Sequence, residues 1–300
     1  MTLPAPRLTV IIPTYNSSRV LACALQSVAH QTWQDFEVWV VGDGCTDGSA
    51  AIVSSFKDPR FQWTNLPTRT GNQFAPNNEG LRRARGEYVA HLGHDDLWFP
   101  WHLSSLMETV GRERADFAYG GVLFLGPDGP REAYGNAKTR AHVSVAPPPG
   151  WLYRKTVPER CGPWRDPRVE PIGVDVGFQA RAFTAGFRFA PTGQFSVLKF
   201  PSPWWRSYAS DADTPQERFL TEMQHDAAQL RTRVLTSLAF SYAKRIEEPT
   251  VGGALRSAFR AVERRAGEWY GVERWPLSAY LRARSARRRR RALALRGLPD

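Results

Sequence analysis

The sequence predicts an α/β fold: a mostly parallel mixed sheet flanked by helices, with a helical C-terminal extension. Three observations predict it. Short β-branched apolar segments alternate with helix-spaced segments through the first 115 residues, the pattern of strands joined by helical crossovers. Two of those strand segments stop abruptly in acidic turns. From Pro215 to about Glu248, and over much of 252–283, the spacing is helical.

The elements follow in order. Leu8-Thr9-Val10-Ile11-Ile12 reads as a buried strand stopped by Pro13. Ser17 or Ser18 can cap a helix whose Val20, Leu21, Ala24, Leu25 and Val28 share one face. Phe36 to Val41 is a second strand, Ser49 to Phe56 a short helix, and Phe61 to Leu66 a third strand. Asn77 to Arg85 reads as a helix stopped by Gly86, and Tyr88 to Leu92 as the next strand. Leu97-Trp98-Phe99-Pro100 reads as the opening of a helix. Asp116 to Leu125 is strand-like, residues 131–150 form a surface loop, Val174 to Ala185 a helix and Phe195 to Phe200 a strand. Helical spacing covers Pro215 to about Glu248 and much of 252–283. The domain boundary is placed at 210, with a first domain over 1–210 and an arginine-rich extension over 211–300.

Three hundred residues can bury a sizeable core. The net charge of +11 raises nucleic-acid binding, but its distribution argues against it. Residues 251–300 hold 13 arginines against three glutamates and one aspartate, a balance of +9, which leaves +2 for the first 250 residues. The basic character belongs to the tail, which includes Arg287 to Arg291, five in a row. The tail mixes these arginines with Trp269, Tyr270 and Trp275, a composition suited to an anionic membrane surface, a solvated helix or a homodimer contact. No run of ~18 apolar residues predicts a membrane span. The N-terminus lacks a long apolar leader, and the three cysteines, Cys23, Cys45 and Cys161, are widely spaced. A cytoplasmic protein with packed thiols is expected.

The chemistry-bearing residues lie in the acidic turns. Asp43 follows a strand and is flanked by Gly42 and Gly44, which let a ligand approach the backbone closely. It can accept a hydrogen bond from a base or a ribose, or serve only the turn. Asp47 is better read as a helix cap. In Leu92-Gly93-His94-Asp95-Asp96, paired carboxylates close a buried strand, where a hard divalent cation and its phosphates would bind. His94 is a candidate substrate contact or a hydrogen-bonded histidine. Asp175, at the start of a helical stretch, can favour the helix dipole or act as a general base.

Taken in order, these segments resemble glycosyltransferase family 2, an inverting family of the GT-A fold. Val10-Ile11-Ile12-Pro13-Thr14-Tyr15-Asn16 resembles its opening strand and turn. Val40-Val41-Gly42-Asp43-Gly44 through Ser49 resembles its nucleotide turn, and Asn78-Glu79-Gly80-Leu81 through Tyr88 the stretch before its metal motif. Gly93-His94-Asp95-Asp96 falls where its DXD-type motif falls, and Val174-Asp175 with Ala185-Gly186-Phe187 resembles its late acidic motif. The resemblance, over about residues 7–200, implies a donor half over 7–115 and an acceptor half over 116–210.

Site roles follow from the same resemblance. Pro13, Thr14, Tyr15, Asp43 and Asn78 would bind the nucleotide of a nucleotide-sugar, expected to be a UDP-sugar. Asp95 would ligate Mn²⁺ or Mg²⁺, Asp96 and His94 would face the sugar, and Asp175 would be the base. Apart from the resemblance, Lys199 to Arg206 combines cations, aromatics and turn formers, and reads either as a lid with Lys199 or Arg206 on phosphate or as a packed connection to the helical tail. The acceptor implied is a saccharide or lipid-linked saccharide in surface polysaccharide or lipopolysaccharide synthesis. Gly93 stands in place of the motif's first aspartate, Gly42 in place of a frequent acid, Asn77 in place of a common arginine, and Val174 in place of the glutamate before the base. The Gln-x-x-Arg-Trp motif of processive synthases is absent, which implies single-sugar transfer. The alternatives are a nucleotide-sugar hydrolase or nucleotidyltransferase, and a binding protein without turnover.

Overall fold

The elements are taken from a computed structural model, which describes residues 5–134, 146–170, 173–205 and 214–247. The strands are β1 (Leu8–Thr14), β2 (Phe36–Gly42), β3 (Phe61–Asn65), β4 (Tyr88–His91), β5 (Leu97–Trp98), β6 (Phe117–Gly126), β7 (Gly129–Tyr134), β8 (Trp151–Arg154) and β9 (Phe189–Lys199). The helices are α1 (Ser18–Ala29), α2 (Ser49–Ser55), α3 (Phe74–Arg83), α4 (His102–Arg112), α5 (Thr156–Cys161), α6 (Val174–Thr184), α7 (Ser202–Trp205) and α8 (Gln216–Glu247).

The sheet runs β3-β2-β1-β4-β8-β6-β9-β5, with β7 on β6. The first four strands, in the order β3, β2, β1 and β4, are parallel, as expected. Beyond β4 the sheet becomes mixed: β8 is antiparallel to β4 and β6, while β9 is parallel to β6 and antiparallel to β5. Strand alternation sorts the core onto two faces. Leu8, Val10 and Ile12 pack with Leu21, Leu25 and Val28 of α1, Val53 of α2 and Leu103 and Leu106 of α4. Ile11 and Val89 face the other way, toward Val157 of α5 and Val174, Phe178 and Ala182 of α6.

Several expectations change. Leu97 and Trp98 do not open a helix but form β5, paired with Leu198 and Val197 of β9, and the helix begins at His102. A two-residue strand has no periodicity to read, and it exists only because β9 lies beside it. The expected loop over 131–150 contains the end of β7, which is antiparallel to β6. β8 and α5 were not expected, and β9 begins at Phe189, six residues ahead of the expected strand. The chain divides into two units, Met1–Leu238 and Ala239–Asp300. The expected boundary at 210 falls within the first, because Phe219, Leu220, Met223, Leu230, Val234 and Leu238 of α8 pack with Leu123, Leu198 and Phe200. The tail expectations, including Arg287 to Arg291, lie outside the described residues.

Two histidines are sealed into the core. His91 is 2% exposed, with Nδ1 against Asn77 Oδ1 at 3.2 Å and Nε2 against the Tyr153 hydroxyl at 2.7 Å. His102 is fully buried, bonded to Ser196 Oγ at 2.7 Å and stacked on Trp98. Burial pushes both imidazoles down to about 3. The unfolded chain therefore binds protons below about pH 6.5 that the folded one refuses, so stability is full above that pH and falls as the medium is acidified. Urea unfolding at pH 7 and pH 5 is expected to differ by on the order of 1–2 kcal/mol per histidine. His102→Gln should reduce the difference, and equal midpoints at the two pH values would refute the assignment.

Candidate active site

The C-terminal ends of β1, β2 and β4 lie side by side, because these strands are parallel and in register. Ligands of open α/β sheets bind at this edge. It carries the turns at Tyr15, Asp43 and Asp95.

The first two turns are tied together. Asn16, in left-handed conformation (φ 41°), accepts the Thr46 N–H at 2.8 Å and donates to the Thr46 hydroxyl at 3.3 Å. Asp47 accepts the Ser18 N–H at 2.9 Å and the Ser49 N–H at 3.1 Å, so one carboxylate serves the starts of both α1 and α2. Burial would raise its pKa, but the hydrogen bonds from Ser49 and Ser18 outweigh it and hold it below the usual range.

Asp43 is 5% exposed and holds a neighbouring segment. Its carboxylate accepts the Thr70 N–H and hydroxyl, each at 2.8 Å, and the Gly71 N–H at 2.7 Å. The adjacent Arg69 guanidinium lies 4.0 Å from the Tyr15 ring centroid. A carboxylate offers about four acceptor positions, so Asp43 retains room for one more donor. The Thr14 hydroxyl is buried without a hydrogen-bond partner. The Pro13 carbonyl meets His94 Nδ1 at 3.2 Å, which joins the first turn to the third.

In the third turn the two aspartates differ. Asp95 is 7% exposed: Oδ2 accepts the Ser202 hydroxyl at 2.8 Å, while Oδ1 accepts no hydrogen bond from the described residues. Asp96 is fully buried: Oδ2 accepts Lys199 Nζ at 2.8 Å and Oδ1 accepts the Phe200 N–H at 3.0 Å. Burial pushes the Asp96 carboxyl up, against the pull of Lys199. Burial alone would lower the Lys199 ammonium, but Asp96, Asp95 and Asp175 together leave it above its usual range. Asp175, in the first turn of α6, contributes the smallest share of that field.

α6 is held from below. Glu170, 6% exposed, pairs with Arg181 of α6, whose other nitrogens donate to the Cys161 and Pro163 carbonyls. The Glu170 carboxyl lies against Gly177, where a Cβ would be 2.1 Å from its Cδ. Trp164 stacks on Phe178 at 4.9 Å between centroids. Glu170, Arg181 and Gly177 were not singled out by the sequence, because neither a motif nor a period marks them.

Three expected roles change. Asn78, assigned to the donor, spends both ends of its amide on Trp164, accepting its N–H at 3.0 Å and donating to its carbonyl at 2.8 Å. Asp96, assigned to the sugar, has no exposed surface and both oxygens are engaged. Lys199, assigned to a lid, is the counter-ion of Asp96. Arg206, the second lid cation, lies outside the described residues. The thiols of Cys23, Cys45 and Cys161 are free, and burial raises all three, Cys23 to about 11.

No three histidine, cysteine or carboxylate groups stand at metal-ligand spacing among the described residues. Mg²⁺ and related cations, however, are commonly held by one or two carboxylates plus substrate phosphates and water. Asp95 Oδ1 fits that smaller set.

Residues 9–157 match the family described as Glycosyl transferase family 2. TuaG of Bacillus subtilis, named a putative teichuronic acid biosynthesis glycosyltransferase, is 31% identical over 131 residues, which cover 43% of this chain and 52% of TuaG. GlyA, a glycosyltransferase of Streptococcus pneumoniae, is 31% identical over 114 residues, 38% of this chain and 16% of GlyA. This chain thus spans about half or less of the length of these relatives. Among solved structures, TarS 1-349 of S. aureus in complex with UDP-GlcNAc superposes with a TM-score of 0.58 at 19% identity, covering 80% of this chain and 73% of that one. PcManGT, a mannosyltransferase of Pyrobaculum calidifontis in complex with GDP-Man and Mn²⁺, gives 0.50 at 18% identity, covering 86% and 80%. With that family match on the strands and turns that build this edge, and a GT-A neighbour sharing its sheet, the chain belongs to glycosyltransferase family 2.

Proposed function

We propose that this chain is an inverting glycosyltransferase that moves one sugar from a nucleotide-sugar, a UDP-sugar by preference, to a saccharide or lipid-linked saccharide in surface polysaccharide synthesis. The observation that carries the proposal is the sheet edge itself. It carries the Asp43 and Asp95 turns side by side, and Asp175 in the first turn of α6 is among the charges that act on Lys199, the partner of Asp96. The UDP-GlcNAc bound by TarS and the teichuronic acid named for TuaG support the donor and acceptor classes.

Each residue has a task in this reading. The remaining acceptor position of Asp43 takes a base N–H, beside Thr14 and Tyr15. Asp175 takes the proton of the acceptor hydroxyl as its oxygen attacks the anomeric carbon from the face opposite the diphosphate. The bond from that carbon to the phosphate oxygen breaks, and the electron pair leaves with the nucleoside diphosphate. Asp95 Oδ1 would hold a divalent cation, Mn²⁺ or Mg²⁺, which stabilises the charge of the leaving diphosphate when bound. Lys199 lends a fixed positive charge to the same corner. No helix of the described residues is long and apolar enough to cross a membrane. A cytoplasmic location, with peripheral contact to the membrane through the basic tail, suits a lipid-linked acceptor.

Calorimetry with UDP, GDP, CDP and dTDP, each with and without Mn²⁺, tests the donor site. One nucleotide is expected to bind in a Mn²⁺-dependent manner, and Asp95→Asn should weaken it by roughly tenfold or more, 1.4 kcal/mol per decade. Absence of binding in every combination would remove the catalytic reading in favour of a protein without turnover. Sugar release that ignores every acceptor would make it a hydrolase.

A further inference from the structure

Asn78 joins two parts of the chain that stand far apart in sequence. From α3 it holds both main-chain groups of Trp164, accepting the N–H at 3.0 Å and donating to the carbonyl at 2.8 Å. Two directional bonds to one residue fix its place and its rotation, where a single bond would leave a pivot. Trp164 is 1% exposed, and its indole stacks on the ring of Phe178 in α6, with 4.9 Å between centroids and 8° between planes. Phe178 follows Asp175 by three residues, so the two are neighbours on one face of the helix. At its other end α3 is tied to the Asp43 turn. Asp43 grips Thr70 and Gly71, and Asn72 Oδ1 accepts the Phe74 N–H at 3.2 Å where the helix begins.

Much of the packing of α6 is of another kind. Val174, Phe178 and Ala182 sit in an apolar cluster with Ile11 and Val89 of the sheet. Hydrophobic burial is non-directional, so it sets how far the helix stands from the sheet but not where it stops along its own axis. Directional contacts reach α6 from the segment before it, where Arg181 donates to the Cys161 and Pro163 carbonyls and pairs with Glu170. Those bonds alone would let segment and helix slide as one piece, and Asn78 ties the segment to α3. We infer that Asn78 and Trp164 are positioning residues of the transfer: acting through Phe178, they set the first turn of α6, and Asp175 in it, against the Asp43 turn. This role rests on Asp175 being the base of sugar transfer. A catalytic group misplaced by about 1 Å can cost about 10²-fold in rate, so a clasp whose loss leaves the fold intact still decides turnover.

The test is a double-mutant cycle in the full chain, read as nucleotide release with an acceptor found by screening. Asn78→Ala is expected to lower turnover by about 10–100-fold in the wild-type background. In the Asp175→Asn background it should lower turnover by less than about threefold, because a base already removed cannot be misplaced. Nucleotide affinity, by calorimetry with UDP, GDP, CDP and dTDP, should stay within about twofold of wild type. A general loosening of the fold would lower turnover by the same factor in both backgrounds, and that result would overturn the inference. So would a folded Asn78→Ala with unchanged turnover, or one that loses nucleotide binding, which would return Asn78 to the donor site. Where Asn78→Ala does not fold, Trp164→Phe keeps the main-chain clasp but narrows the stacked ring, and runs the same cycle with an expected loss of about tenfold. Turnover by Asp175→Asn equal to wild type would remove the base reading, and this inference with it. A slow Asp175→Asn beside an equal loss from Asn78→Ala in both backgrounds would remove this inference alone.

Discussion

Asp175→Asn is expected to lower the turnover of sugar transfer by about 10²–10⁴-fold, the usual contribution of a positioned general base. Nucleotide affinity should stay within about twofold, because the substitution is isosteric and lies outside the Asp43 and Asp95 turns. The reason to choose Asp175 is its placement. It stands in the first turn of α6, where Gly173 (φ 103°) turns the chain into the helix, and its charge is felt by Lys199. Val174 is buried in the core beneath, so the residue before Asp175 takes no part in chemistry. The measurement is nucleotide release with an acceptor found by screening, together with calorimetry of the nucleotide. A variant that keeps more than about a tenth of wild-type turnover would exclude the base assignment. A variant with lost nucleotide binding would move Asp175 into the donor site.

Gly177→Ala is expected to have the largest effect on stability. The new methyl would overlap the Glu170 carboxyl, 2.1 Å from Cδ, so either α6 shifts or Glu170 leaves Arg181. Overpacking costs about 1–3 kcal/mol and breaking a buried ion pair about 3–5 kcal/mol, and relaxation takes whichever route is cheaper. A loss of about 2–4 kcal/mol corresponds to a fall in Tm of roughly 5–15 °C for a domain of this size. Because both residues act on one contact, the Gly177→Ala/Glu170→Ala double variant should lose clearly less than the sum of the singles. Strict additivity in thermal unfolding would mean that the methyl is accommodated elsewhere. The same substitution should lower transfer as well, since it moves the helix that carries Asp175.

The parallel part of the sheet was legible in the sequence for a physical reason. Parallel strands buried on both faces read as near-continuous apolar runs, and Leu8 to Ile12, Phe36 to Val41 and Tyr88 to Leu92 are such runs, interrupted once each by Thr9, Glu37 and His91. Their ends place the acidic turns. The mixed part of the sheet was less legible because its elements depend on partners distant in the chain. Leu97 and Trp98 are a strand only beside β9, and β8 is inserted between β4 and β6. The residues of the corner could be listed, but not their jobs. Asp47 could be read as a cap because its partners are close by. Asp43 could not be read as the anchor of Thr70 and Gly71, nor Asn78 as the clasp of Trp164, because those partners stand 27, 28 and 86 residues away.

The long reach of the acidic corner bears on the order of synthesis. Asp96 meets its counter-ion 103 residues downstream, Asp95 its hydroxyl 107 residues downstream, and the Asp95 carbonyl the Gln216 amide 121 residues downstream. The first hundred residues can pair β1, β2, β3 and β4 as they emerge from the ribosome, yet they carry two adjacent acids with nothing to balance them. Residues 9–157, the segment matched by the family, would be released in that unbalanced state if expressed alone. The acidic turn after β4 is therefore completed only once residues 199–216 have joined it, and an exchange of this turn between relatives is expected to need Lys199 and Ser202 along with Asp95 and Asp96.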